Sequence, residues 1–202
     1  MTVLVALRAT VGLDLRATQA LQSVASPAID VLANANTLVG QATVTSGLAA
    51  LLAYLTWRRE PRPAWLAAGL FVAVGAVGLG LKVALTHPPP PDDLIRSFWD
   101  PLGVRISTPS GFPSGHIARV TFLAILAAAL FRARIARIAL AVLIGYTFWA
   151  RIYIGDHWLS DAIGGLALGG AAGFAALGWI GRCRSRGVRG SRRGKAFPAA
   201  RH

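Results

Sequence analysis

Cysteine occurs once, at Cys183, which excludes an intramolecular disulfide and any metal site built on cysteine pairs. Charge is scarce: only 14% of the 202 residues are charged, against 54% hydrophobic, and acidic residues number 8, with none after Asp161. A soluble domain of this size rarely has so little charge, whereas a small polytopic membrane protein does. The 21 basic residues leave a formal charge of +13. No groove-reading module accompanies them, so no nucleic-acid partner is expected. They crowd instead into the tail (Arg182, Arg184, Arg186, Arg189, Arg192, Arg193, Lys195, Arg201) and beside apolar stretches, the pattern of membrane orientation and anionic-lipid attraction. A basic n-region is missing from residues 1–7, and Arg8, Asp14 and Arg16 interrupt the segment after it. The first span is therefore expected to serve as an uncleaved insertion signal.

Long apolar runs, by contrast, are plentiful. Five are close to the roughly 20 residues that cross a bilayer core: 38–57, 64–86, 114–131, 137–154 and 159–181. Backbone groups in lipid must pair within their own segment, so the expected fold class is all-α, a polytopic bundle of about five membrane helices. Residues 13–33 mix Leu15, Leu21, Val24, Ile29 and Leu32 with Gln, Ser, Asp and Asn, which reads as one amphipathic helix lying in the interface. The expected organisation is an interfacial segment at 1–36, a membrane domain at 37–181 and a basic, disordered cytoplasmic tail at 182–202. Arg58, Arg59 and Arg62, and again Arg132, Arg134 and Arg137, mark cytoplasmic connections. The connection at 87–113, opened by four prolines at 88–91, then faces outward.

Under that topology the chemically interesting residues share one depth. Lys82 lies near the outer end of the second span, Ser114 and His116 open the third, Arg151 closes the fourth, and His157 and Asp161 open the fifth. Ionisable groups at such positions are expensive to keep, which makes them functional candidates. Asp161 comes one helical turn after His157, so its carboxylate can orient one ring nitrogen and leave the other as a nucleophile. Ser114 suits an N-cap, Gly115 a close backbone approach, and His116 protonation of a leaving oxygen. Lys82 and Arg151 would neutralise phosphate oxygens. Asp92, Asp93 and Asp100 read as a solvated loop and not as a metal site. Trp57, Trp65, Trp99, Trp149 and Trp158 read as interface anchors, and Gly75, Gly78, Gly80, Gly165 and Gly169 as points of close helix packing.

Pro113-Ser114-Gly115-His116 is one complete motif, and Ala150-Arg151, five residues, His157, three residues, Asp161 is another that lacks only a leading serine. Together with Lys82 and the prolines six and more residues after it, these resemble the three-part signature of the type 2 phosphatidic acid phosphatase superfamily. Its first part is a lysine, six residues, then Arg-Pro, and here Pro89 stands where that arginine would be. The resemblance implies a membrane lipid phosphatase that needs no cofactor and no metal. It implies His157 as the phosphate nucleophile, Asp161 as its partner and His116 as the general acid. Lys82, Ser114, Gly115 and Arg151 would hold the phosphate.

Arg119, one turn after His116, is expected to replace the charge lost at Pro89, with His87 and Arg105 as weaker candidates. A structural pairing of Arg119 with Asp156 is the competing expectation. The expected reaction is hydrolysis of a lipid phosphomonoester or pyrophosphate, with polyprenyl pyrophosphate the preferred substrate and phosphatidic acid or phosphatidylglycerol phosphate as others. The expected location is a bacterial inner membrane, with the site facing outward. The same residues would serve a lipid phosphotransferase, and a chain disabled by Pro89 would bind lipid phosphate without turnover.

Overall fold

Gly40, Gln41 and Pro27 set the shape of the first third of the chain. The structure, a computed structural model, describes residues 10–58, 61–99, 110–130 and 133–193, with side chains except at 61–63 and 183–193. Helix α1 spans Val11–Gln22, α2 Pro27–Gly40 and α3 Ala42–Trp57. Next come helices α4 (Pro61–Ala84), α5 (Gly115–Leu130), α6 (Arg134–Tyr153) and α7 (Leu159–Arg193). The remaining described residues form connections, the longest of them after α4, which contains one 3-10 turn at Asp92–Leu94.

The single interfacial helix expected over 13–33 is broken in two. Ser26 is extended and its hydroxyl accepts the Ile29 N–H at 3.4 Å, and Pro27 occupies the first turn, where a missing N–H costs nothing. Helix α1 is no free surface helix either. It packs on α6 and α7 with Asp14 and Thr18 buried. Helix α2 then runs past residue 36 into what the sequence suggested was the first span. At Gln41 the backbone is extended (φ −60°, ψ 146°), and α2 and α3 meet at a 49° bend.

By length and apolarity Ala64–Ala84, Arg134–Tyr153 and Leu159–Arg182 can each cross a membrane, and the bent α2–α3 pair qualifies as one broken span. Helix α5, apolar but only 16 residues long, covers about 24 Å at 1.5 Å per residue. It is the central element, buried along Ile117, Ala118, Phe122, Leu123 and Leu126. Val74 of α4 and Ala176 of α7 close the core around it, with the Phe71 and Phe122 rings 6.0 Å apart.

Helix α7 reaches α5 through glycine. A Cβ on Gly165 would lie 2.5 Å from the Ser114 carbonyl oxygen, and one on Gly169 would overlap that of Ala118. These two glycines do what the sequence suggested. Gly75 and Gly80 do not, since nothing lies within 4 Å of a Cβ at either. The backbone of α7 continues as helix to Arg193, so the start of the tail, expected to be disordered from 182, is helical.

The connection after α4 is tied to the end of the bundle. Arg96 makes two bonds to Asp30, at 2.8 and 2.9 Å, and the Tyr153 hydroxyl donates to the same carboxylate at 2.7 Å. Gln22 donates to the carbonyls of Leu94 and Tyr153, both at 2.8 Å.

Candidate active site

Three helix ends and one turn meet at this end of the bundle. Ser114 donates its N–H to the Asp161 carbonyl at 2.9 Å, and its carbonyl accepts the Ala118 N–H at 3.1 Å, which places it at the N-cap position of α5. Its hydroxyl does not cap. The oxygen is buried and has no protein partner among the described residues, so it remains available to a ligand. At Gly115 a Cβ would sit 2.9 Å from Nη1 of Arg119, so the absence of a side chain lets that guanidinium reach the turn.

The His116 imidazole is bonded to the backbone of Thr37, and its Nε2 is buried with no protein partner among the described residues. Gly40 makes room for the ring: a Cβ there would lie 2.5 Å from His116 Cδ2. The bend between α2 and α3 therefore falls where α2 meets His116.

The second half of the site is the turn between α6 and α7. Arg151, buried at the end of α6, bonds the Thr37 hydroxyl at 3.2 Å and pairs with the Asp156 carboxylate. Gly155 adopts φ +74°, the left-handed conformation that glycine tolerates, and the chain turns so that the His157 N–H donates to the Arg151 carbonyl at 3.2 Å.

His157 Nδ1 stands 3.4 Å from Asp161 Oδ2, and that oxygen also accepts the Trp158 N–H at 3.0 Å. Asp161 therefore caps α7 and faces the histidine at once. Burial pushes the His157 ring below its ordinary value of 6.5; Asp161 opposes this, while Lys82 and Arg151 add to it. A neutral ring at physiological pH is the form a nucleophile needs.

Lys82 donates to the Gly111 carbonyl at 2.7 Å and lies within electrostatic range of Asp161 and Arg119. Arg119 donates to the Gly40 carbonyl at 2.8 Å, and its Nε has no protein partner among the described residues. Asp156, offered as a structural partner for Arg119, is paired with Arg151. Lys82, Arg119 and Arg151 thus surround two imidazoles, one buried carboxylate and a serine hydroxyl without a protein partner among the described residues. Such a set suits an anion with several acceptor oxygens.

Asp92 and Asp93 are exposed, as is Pro89, and Arg105 and Asp100 lie outside the described residues. Trp158 is not an interface anchor. It is buried, and its indole N–H holds the Pro88 carbonyl at 2.8 Å, whereas Trp57, Trp65 and Trp99 are exposed.

Sequence reasoning did not find Thr37, Gly40, Asp14 or Ser160 near this cluster, and it rated His87 only as a spare cation. The signal for Gly40 was a glycine–glutamine pair inside an apolar run. Asp14 had no local signal, because its partner is 146 residues away.

A model of the PAP2 superfamily matches residues 63–185, more than half of the chain, and the match contains Lys82, Ser114, Gly115, His116, Arg119, Arg151, His157 and Asp161. Among solved structures the fold is similar to the first transmembrane PAP2 type phosphatidylglycerolphosphate phosphatase from Bacillus subtilis. The TM-score is 0.72 at 20% identity, covering 90% of this chain and 92% of that one. It is also similar to LpxE of Aquifex aeolicus, with a TM-score of 0.65 at 21% identity over 82% of this chain and 94% of that one. No curated protein matches the sequence significantly. With its motifs inside the matched region and its helices arranged as in these two structures, the chain belongs to the PAP2 superfamily.

Proposed function

We propose that this membrane lipid phosphatase removes the terminal phosphate of a lipid pyrophosphate or phosphomonoester through a covalent phosphohistidine on His157, with a polyprenyl pyrophosphate as preferred substrate. The site faces outward from a bacterial inner membrane, in keeping with the basic connections and tail. The observation that carries the reading is the approach of His157 Nδ1 to Asp161 Oδ2 at 3.4 Å, beside a His116 Nε2 that has no protein partner among the described residues.

Lys82, Arg119 and Arg151 neutralise the phosphate oxygens, and the Ser114 hydroxyl and the free N–H groups at the start of α5 add hydrogen bonds. Nδ1 of His157 is held by Asp161, so Nε2 attacks phosphorus. The bond from phosphorus to the bridging oxygen breaks, and His116 gives that oxygen a proton. His116, now neutral, takes a proton from water. The resulting hydroxide attacks the phosphohistidine, inorganic phosphate leaves, and the His157 Nε2 lone pair is restored.

The test is phosphate release in detergent with excess EDTA from polyprenyl pyrophosphate, phosphatidic acid and phosphatidylglycerol phosphate, comparing wild type with His157→Ala. The expected result is EDTA-resistant release, fastest from the polyprenyl substrate and lost in the variant. Absence of release from every substrate by folded wild-type protein overturns the reading in favour of binding without turnover.

A further inference from the structure

Asp14 of α1 is almost completely buried, and a buried carboxylate is costly unless it is bonded. Both its oxygens are bonded to one residue of α7: Oδ1 accepts the Ser160 N–H at 2.8 Å and Oδ2 accepts the Ser160 hydroxyl at 2.8 Å. A hydroxyl has one proton, and that proton goes to Asp14. The Ser160 oxygen can then only accept from His87 Nε2, 3.1 Å away, which fixes the tautomer with the proton on Nε2.

The same Nε2 lies 3.6 Å from Asp161 Oδ1 and 3.9 Å from Asp14 Oδ2, and His87 is wholly buried. At 3.6 Å the contact with Asp161 is too long for a hydrogen bond, but the polar N–H edge of the ring faces that oxygen in an interior that screens it little. Each oxygen of Asp161 therefore faces its own imidazole: Oδ2 faces His157 and Oδ1 faces His87.

The backbone around His87 is held independently of the ring. Its carbonyl accepts the Gly111 N–H at 3.1 Å, and the next carbonyl accepts the Trp158 indole at 2.8 Å.

We infer that His87 is a positioning residue for Asp161, and that Asp14 and Ser160 set its orientation. The N–H side of His87 holds one oxygen of the Asp161 carboxylate, so that the other is presented to Nδ1 of His157. The inference rests on the phosphohistidine reading above. It also brings α1, which precedes the residues matched by the superfamily, into the catalytic apparatus. A purely structural role, in which His87 only satisfies buried polar groups, would act on stability and leave turnover of the folded protein unchanged.

The experiment compares wild type, His157→Ala, His87→Ala, His87→Gln, Ser160→Ala, Asp14→Asn and the double variant Asp14→Asn/His87→Ala in the same phosphate-release assay, with kcat and KM separated. Glutamine keeps an N–H donor at the reach of Nε2. Loss of the group that orients a metal-ligating histidine costs about 10- to 100-fold; a loss of the same order is expected in kcat of His87→Ala, with KM within about threefold of wild type.

His87→Gln should recover most of the loss, Ser160→Ala should fall in the same direction as His87→Ala, and the double variant should be no slower than His87→Ala alone. Wild-type kcat in folded His87→Ala overturns the inference. A folded His87→Gln as slow as His87→Ala overturns it as well. Should His87→Ala not fold, unchanged kcat in folded Ser160→Ala and Asp14→Asn overturns it. Wild-type activity in His157→Ala overturns the phosphohistidine reading and this inference together, whereas a dead His157→Ala beside a fully active His87→Ala removes only the inference.

Discussion

His157 Nδ1 and Asp161 Oδ2 stand 3.4 Å apart across the first turn of α7, with the histidine in the preceding turn and the carboxylate inside the helix. The pair sets a pH dependence. Burial lowers the His157 pKa below 6.5, Lys82 and Arg151 lower it further, and the charge of Asp161 raises it. The proposed nucleophile must be neutral, so its contribution to activity is lost as the pH falls through this depressed value. The acid limb of kcat/KM, as far as it reports His157, is expected below pH 6.5. Asp161→Asn removes the one raising charge, so it should move that limb to still lower pH. It should also cut kcat by up to about 10⁴-fold, the cost of losing the orienting carboxylate in comparable triads. A pH–rate profile of the two proteins checks both, and an acid limb that moves upward in the variant contradicts the assignment.

Arg119 and Pro89 form a second test. The Arg119 guanidinium lies against Gly115 at the start of α5, while Pro89 offers no charge. A charge-assisted hydrogen bond contributes about 1.5–3 kcal/mol, so Arg119→Ala is expected to lose roughly 10- to 100-fold in kcat/KM. Arg119→Lys should recover part of it, since lysine keeps the charge but not the fork. Pro89→Arg should restore activity more in the Arg119→Ala background than in wild type, because it returns the cation of the superfamily's first motif. Unchanged kinetics in Arg119→Ala would show that Arg119 serves only the Gly40 carbonyl.

Gly169 and Gly75 make a matched pair for stability. A Cβ on Gly169 would overlap the Ala118 carbonyl oxygen, a backbone atom that cannot move aside without shifting α5, whereas one on Gly75 meets nothing within 4 Å. Overpacking of this kind costs about 1–3 kcal/mol. Gly169→Ala should therefore lower the melting temperature in detergent and reduce activity, since α5 carries His116 and α7 carries Asp161. Gly75→Ala should leave both near wild type. Equal melting temperatures for the two variants would contradict the close α5–α7 approach.

Much of the candidate site was legible in the chain because its residues lie in short motifs whose spacing survives folding. Pro113 to His116 is contiguous, and Arg151, His157 and Asp161 fall within one turn-and-helix unit. The long apolar runs likewise marked the helices that pack at the centre. The features that escaped were set at long range. Asp14 finds Ser160 only once α1 docks on α7, and no local pattern distinguishes it from a solvated helix carboxylate. The break before Pro27 was written locally as serine then proline, but the apolar residues on either side read as one continuous amphipathic stripe. Trp158 resembled an anchor by its place at a span end, and its burial comes with the Pro88 carbonyl it binds.

Gly155 carries the last prediction, because it joins backbone conformation to the position of the proposed nucleophile. Its φ of +74° disfavours any residue with a Cβ, and a Cβ there would overlap the Leu94 carbonyl oxygen. Leu94 is itself fixed, since Gln22 donates to that same oxygen at 2.8 Å. The turn therefore has no direction in which to yield, and strain at residue 155 must pass to its neighbours. Two residues later the His157 N–H bonds the Arg151 carbonyl, so a shifted turn moves the imidazole relative to Asp161 and to the phosphate cradle. Gly155→Ala is expected to cost about 1–3 kcal/mol of stability. It should also lower kcat by a larger factor than Gly169→Ala, even when the two variants are compared at equal folded fraction, because misplacing a reacting atom by about 1 Å can cost 10²-fold in rate. Phosphate release normalised to folded protein, measured beside thermal unfolding, separates the two effects. A Gly155→Ala protein that loses stability but keeps its normalised kcat would show that the turn does not set the position of His157.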